Sequence, residues 1–126
     1  MGSVAGMRQA FAHTALLALD GDEHAPGAAV TVELCGHWEH EPPCRVPHRT
    51  DVTEERDGLG VRVLFACPPD EEPATRAAVE RALAGGALPV PAPAGTPPTR
   101  WQLLRSAPAE VADADSAVAA RLVSLS

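Results

Sequence analysis

Five of the chain's eight histidines and cysteines fall within fourteen residues, CGHWEHEPPCRVPH, running from Cys35 to His48. Imidazole nitrogens and thiolates are the donors a borderline-soft cation prefers, so this concentration reads first as a metal site. The spacing is C-x-H-x2-H-x3-C-x3-H. On a strand, Cys35 and His37 project from the same face, and a loop stiffened by Pro42-Pro43 then brings His40 and Cys44 back over them, with His48 as a fifth candidate. Two thiolates and two imidazoles suit Zn in tetrahedral coordination, and Glu33, Glu39 and Glu41 are placed to orient the imidazoles. Against this, Arg45 and Arg49 put fixed positive charge beside the cation. The spacing is that of no zinc finger or ribbon, and neither C-x-x-C nor H-E-x-x-H is present.

Two other readings stand beside the metal. In one, the protein is a small enzyme that uses His37, His40 or Cys44 directly, an imidazolium lowering the pKa of a neighbouring thiol, although no glycine elbow or oxyanion-hole pattern accompanies them. In the other, the His-rich loop is only a solvated surface of a metal-free binding or accessory module, homodimeric through an open sheet edge or helix face. Outside the cluster, His13 alternates with apolar neighbours and reads as a hydrogen-bonded core histidine. Cys67 lies on the apolar side of its strand and reads as packing. Trp38 and Trp101 each anchor a strand end, and Trp38 could also wall a pocket.

The elements that must position these groups follow from periodicity. Phe11 to Leu19 alternates as a well-buried strand. Ala29 to Trp38 predicts a second strand, with Val30, Val32, Leu34 and Trp38 on one face and Thr31, Glu33, Cys35 and His37 on the other. Val46 to Glu54 predicts a third, the Asp57-Gly58 turn leads to a fourth through Leu59, Val61, Val63, Phe65 and Cys67, and Pro68-Pro69 stops it. Asp70 as N-cap and Gly85-Gly86 as terminator bracket a helix over Glu71 to Ala84. Residues 87–99 form a Pro-rich surface connection. In Arg100 to Ser106, Trp101, Leu103 and Arg105 oppose Gln102, Leu104 and Ser106, a short strand; Ser106 then caps a final helix through Val111, Ala114, Val118, Leu122 and Leu125. The order β-β-β-β-α-β-α predicts an α+β fold, an antiparallel sheet of four to five strands covered on one face by two helices.

Composition narrows the partners. The 126 residues suit a single globular domain, with 1–8 a flexible N-terminus. Ten basic residues, all Arg, against seventeen acidic ones give a net charge of −7, a field that repels phosphate and argues against nucleic acid and anionic lipid. The chain has no Lys, Asn, Ile or Tyr, the codon supply of a GC-rich bacterial genome. No apolar run is long enough to span a membrane. The opening MGSVAGMRQAF lacks the apolar core of a secretory signal, which predicts a cytoplasmic protein whose three cysteines are thiols.

Overall fold

The computed structural model describes residues 7–35, 46–88 and 99–125. In chain order the elements are β1 (Gln9–Asp20), α1 (Ala25–Cys35), β2 (His48–Glu55), β3 (Gly58–Cys67), α2 (Glu72–Ala84), β4 (Arg100–Ala109) and α3 (Ser116–Ser124). The four strands form one antiparallel sheet in the order β2-β3-β1-β4. Each half of the β-α-β-β-α-β core is therefore a split βαβ unit, with a strand of the other half inserted between its own two. The expected α+β class with one antiparallel sheet holds; the two helices over one face are α1 and α2, however, and not α2 with the C-terminal helix as expected, and the order is β-α-β-β-α-β-α.

The predicted strand from Ala29 to Trp38 does not form; Ala25–Cys35 is a helix. Asp22 starts it, its Oδ1 accepting the His24 amide at 2.9 Å, and Pro26 tolerates the first turn, where no intrahelical amide is required. The buried positions Ala25, Ala28, Ala29, Val30 and Leu34 follow helical spacing. Alanine is small enough to be buried on either periodicity, so the alternation of Val30, Val32 and Leu34 dominated the sequence pattern while the alanines concealed the helical face.

The face of the sheet under α1 and α2 holds the main core: Ala15 and Leu17 of β1, Val61, Val63 and Phe65 of β3, Val79 and Leu83 of α2, and Trp101 of β4. The Trp101 indole N–H donates to the Leu83 carbonyl at 2.7 Å, tying the end of α2 to the start of β4, as expected of a tryptophan anchoring a strand end. Asp70 does not cap α2. It sits within a 3-10 turn, Pro69–Glu71, that leads into the helix. The β2–β3 connection turns through Arg56 and Asp57 into Gly58, whose φ of 150° brings its Cα so close to the Leu17 carbonyl that no side chain fits.

A bulge in β4 decides where its side chains go. Leu16 pairs with Arg105 but Leu17 pairs with Leu103, so Leu104 is the extra residue. The predicted strict alternation would have placed Arg105 with Trp101 and Leu103. The bulge resets the parity, so that Ser106 joins the core face and Arg105 turns to the opposite one. Ser106 also does not cap the last helix. β4 continues to Ala109, and α3 begins at Ser116 after a 3-10 turn, Asp113–Asp115.

That last helix lies on the sheet's second face. Leu122 packs on Ala12, Leu64 and Ala66, with Val118 and Val111 beside them. Arg62 secures its start, donating to the Asp115 carboxylate and to the Glu110 carbonyl at 2.7 Å. Asp115 also accepts the Ala112 amide at 2.8 Å. The Arg62 hydrogen bond, seconded by that amide, holds the Asp115 carboxyl below its ordinary pKa.

Candidate functional site

The metal reading of the Cys/His segment is overturned. Among the described residues no three His, Cys, Asp or Glu side chains gather around a point that could hold an ion. Cys35 ends a helix instead of lying on a strand, so the shared strand face on which the pairing with His37 depended is absent. Cys35 is also disulfide-bonded, which corrects the expectation of three thiols: a disulfide sulfur offers no thiolate to a cation. His48, at the start of β2, has both ring nitrogens engaged, Nδ1 at 2.9 Å from the Val46 carbonyl and Nε2 at 3.0 Å from Thr31 Oγ1. His37, His40 and Cys44, like Trp38, lie outside the described residues. Cys67 is a free, buried thiol in the core, as its strand position implies, and burial raises its pKa.

Two polar arrangements that the sequence pattern did not single out take its place. The first is built on His13, which is fully buried on β1. On α2, Glu72, Arg76 and Glu80 recur every four residues and so form one stripe along the helix, which passes over β1 and β4. Arg76 binds Glu72 through two nitrogens at 2.8 and 3.0 Å, donates to the Ala12 carbonyl, lies 3.1 Å from His13 Nδ1 and stacks over the Phe65 ring. On the far side of the imidazole, Nε2 is 2.7 Å from Ser106 Oγ, which donates to Glu80 at 3.2 Å.

The direction of these bonds determines the chemistry. A guanidinium can only donate, so Nδ1 accepts and the proton resides on Nε2. Nε2–H then donates to Ser106 Oγ, whose own proton goes to Glu80. A histidine acting as base toward serine needs a bare Nε2, so this Ser–His pair is in the wrong tautomer for nucleophilic catalysis. Burial is the main cause that lowers the His13 pKa, and the Arg76 charge adds to it; Glu80 opposes both. The arrangement is a buried hydrogen-bonded relay between two surface carboxylates that leaves a neutral imidazole in the core, the satisfied histidine that its strand position predicts.

The second arrangement lies on the sheet face that α3 covers only in part. Beyond Ala12 and Leu64, one row crosses all four strands: Arg105 on β4, Leu16 on β1, Gly60 on β3 and Thr53 on β2. Two adjoining hollows of about 220 and 230 Å³ open there and share Thr14, Ala15 and Glu55. Arg105 lines the first, while Asp51 and Arg62 line the second. Glu55 lies back across the sheet with its carboxylate over Gly60, in the space that a Cβ at that position would need. Asp51 is paired with Arg49, and Arg62 with Asp115. Glu55 and Arg105 have no side-chain ion pair or hydrogen bond, either with each other or with any other residue of those described.

Comparison of the chain with protein-family models, with curated proteins and with solved structures finds no match in any of the three. Among the described residues no helix is long and apolar enough to cross a membrane.

Proposed function

We propose that the protein is a non-catalytic binding module whose ligand-accepting surface is the part of the sheet's second face left bare by α3. The observation that carries this reading is the pair of adjoining hollows around Thr14 and Glu55, floored by Leu16 and Gly60 and rimmed by hydroxyls and charges. Concave surfaces with an apolar floor and a few convergent polar groups are the usual form of small-molecule sites. Each hollow, at about 220 or 230 Å³, is smaller than the about 300–1,000 Å³ of pockets that enclose a drug-sized compound, which suits a small metabolite. The His13 relay supports the non-catalytic reading, because its tautomer leaves Ser106 a hydrogen-bond link and not a nucleophile.

Amide spectra of the labelled protein recorded against mixtures of common metabolites test this. Shifts should cluster at Thr14, Leu16, Gly60 and Ala107, and they should disappear in a folded Thr14→Trp variant, whose indole fills both hollows. Absence of shifts at millimolar concentrations, or shifts that persist in the variant, would overturn the reading.

A further inference from the structure

We infer that the ligand of this surface is a small zwitterion of the α-amino acid class, its carboxylate bound by Arg105 and its ammonium by Glu55. The inference rests on the binding-module reading and names its ligand chemistry. Arg105 and Glu55 line the same hollow, carry opposite charges and are both without side-chain partners among the described residues. They are held apart by Leu16, which stands between Arg105 and Gly60 in the cross-strand row.

The separation is of the right order. Two strand spacings put the backbones of Arg105 and Gly60 about 10 Å apart. In an α-amino acid the ammonium nitrogen and the carboxylate oxygens are three bonds apart, about 3 Å. Adding a charge-assisted hydrogen bond of about 2.8 Å at each end gives a chain of roughly 9 Å from Arg donor to Glu acceptor. A guanidinium matches a carboxylate through two parallel N–H bonds, and an ammonium suits a single carboxylate acceptor with further bonds to hydroxyls, here those of Thr14 and Thr53. Leu16 and Ala107 leave an apolar floor for an aliphatic side chain. Two backbone devices place the charges: the Leu104 bulge turns Arg105 onto this face, and Gly60 leaves the space that the Glu55 carboxylate occupies.

The experiment is a titration, by calorimetry and amide shifts, with L-leucine and then each of the other common L-amino acids, alongside L-leucine methyl ester and N-acetyl-L-leucine. At least one free amino acid should bind with shifts at Thr14, Gly60 and Ala107. Masking either of its charged ends should weaken it by about tenfold or more, as should Arg105→Gln or Glu55→Gln. Both positions are exposed, so unchanged melting curves confirm that the variants remain folded. Masked derivatives that bind as well as the parent, or variants that bind as tightly as the natural protein, overturn the zwitterion assignment. If only neutral or singly charged metabolites bind in the hollow, that assignment fails while the binding-module reading stands; if nothing binds there, both fail.

Discussion

Replacing Arg76 with Met tests the relay most directly, because the thioether keeps much of the length and apolar contact of the side chain while removing every polar one. The guanidinium is nearly buried, its side chain 14% exposed, and serves Glu72, the Ala12 carbonyl, His13 Nδ1 and the Phe65 ring together. The i,i+4 pair with Glu72 contributes about 0.3–0.5 kcal/mol and the stacking on Phe65 about 0.5–1 kcal/mol. Hydrogen bonds from a charged donor contribute about 1.5–3 kcal/mol each, less than additively where one group makes both. Relief of the guanidinium's own desolvation offsets part of the loss, leaving a net destabilisation of about 2–4 kcal/mol. For a chain of this size that lowers Tm by about 8–15 °C.

The pH dependence gives a second signature. The His13 pKa lies below its ordinary value of 6.5 in the folded protein, so the unfolded chain takes up the proton first. Stability is then full above pH 6.5, declines as pH falls below it, and levels off beneath the folded-state value. Without the Arg76 charge beside Nδ1 the folded pKa rises toward 6.5, so the decline between pH 7 and 5 becomes shallower in the variant. Urea denaturation followed by circular dichroism across that range measures both effects. A variant within about 0.5 kcal/mol of the natural protein, with an unchanged acid slope, would refute the assignment of the tautomer and of the guanidinium's role.

Gly58→Ala should cost about 3 kcal/mol or more, since it adds a Cβ at a φ of 150° directly against the Leu17 carbonyl; Gly60→Ala meets only the movable end of Glu55 and should cost about 1 kcal/mol or less. Thermal melts of the two variants compare them. In thiol titration without reductant, the native protein should react slowly, because Cys67 is buried with a raised pKa and Cys35 is disulfide-bonded. Denaturation should release one reactive thiol per chain, and reduction all three; three thiols before reduction would contradict the bonded state of Cys35.

What could be read from the residues was set by strong local contrast. β1 and β3 alternate or run apolar within clear stops, and α2 is bracketed by Pro68-Pro69 and Gly85-Gly86, so each falls where the pattern places it. His13 and Cys67, polar or reactive groups set in apolar strands, were legible as core residues for the same reason. The helix Ala25–Cys35 was not, because alanine carries almost no periodic contrast. The stripe Glu72, Arg76 and Glu80 was not singled out, because its targets, a histidine some sixty positions earlier and a serine on β4, are a matter of strand order.

Composition and local pattern settled the α+β class, the net charge of −7 and the burial of His13, since these depend on residue content and on the near-neighbour period of each element. Tertiary structure alone decided that Arg105 faces the bare side of the sheet and Ser106 the relay, because a single extra residue, Leu104, reverses the facing of all that follows it. It alone also brought Glu55 and Arg105 to one hollow. Their meeting requires β1 and β3 to lie between β2 and β4, and pairings that distant along the chain leave no trace in local spacing.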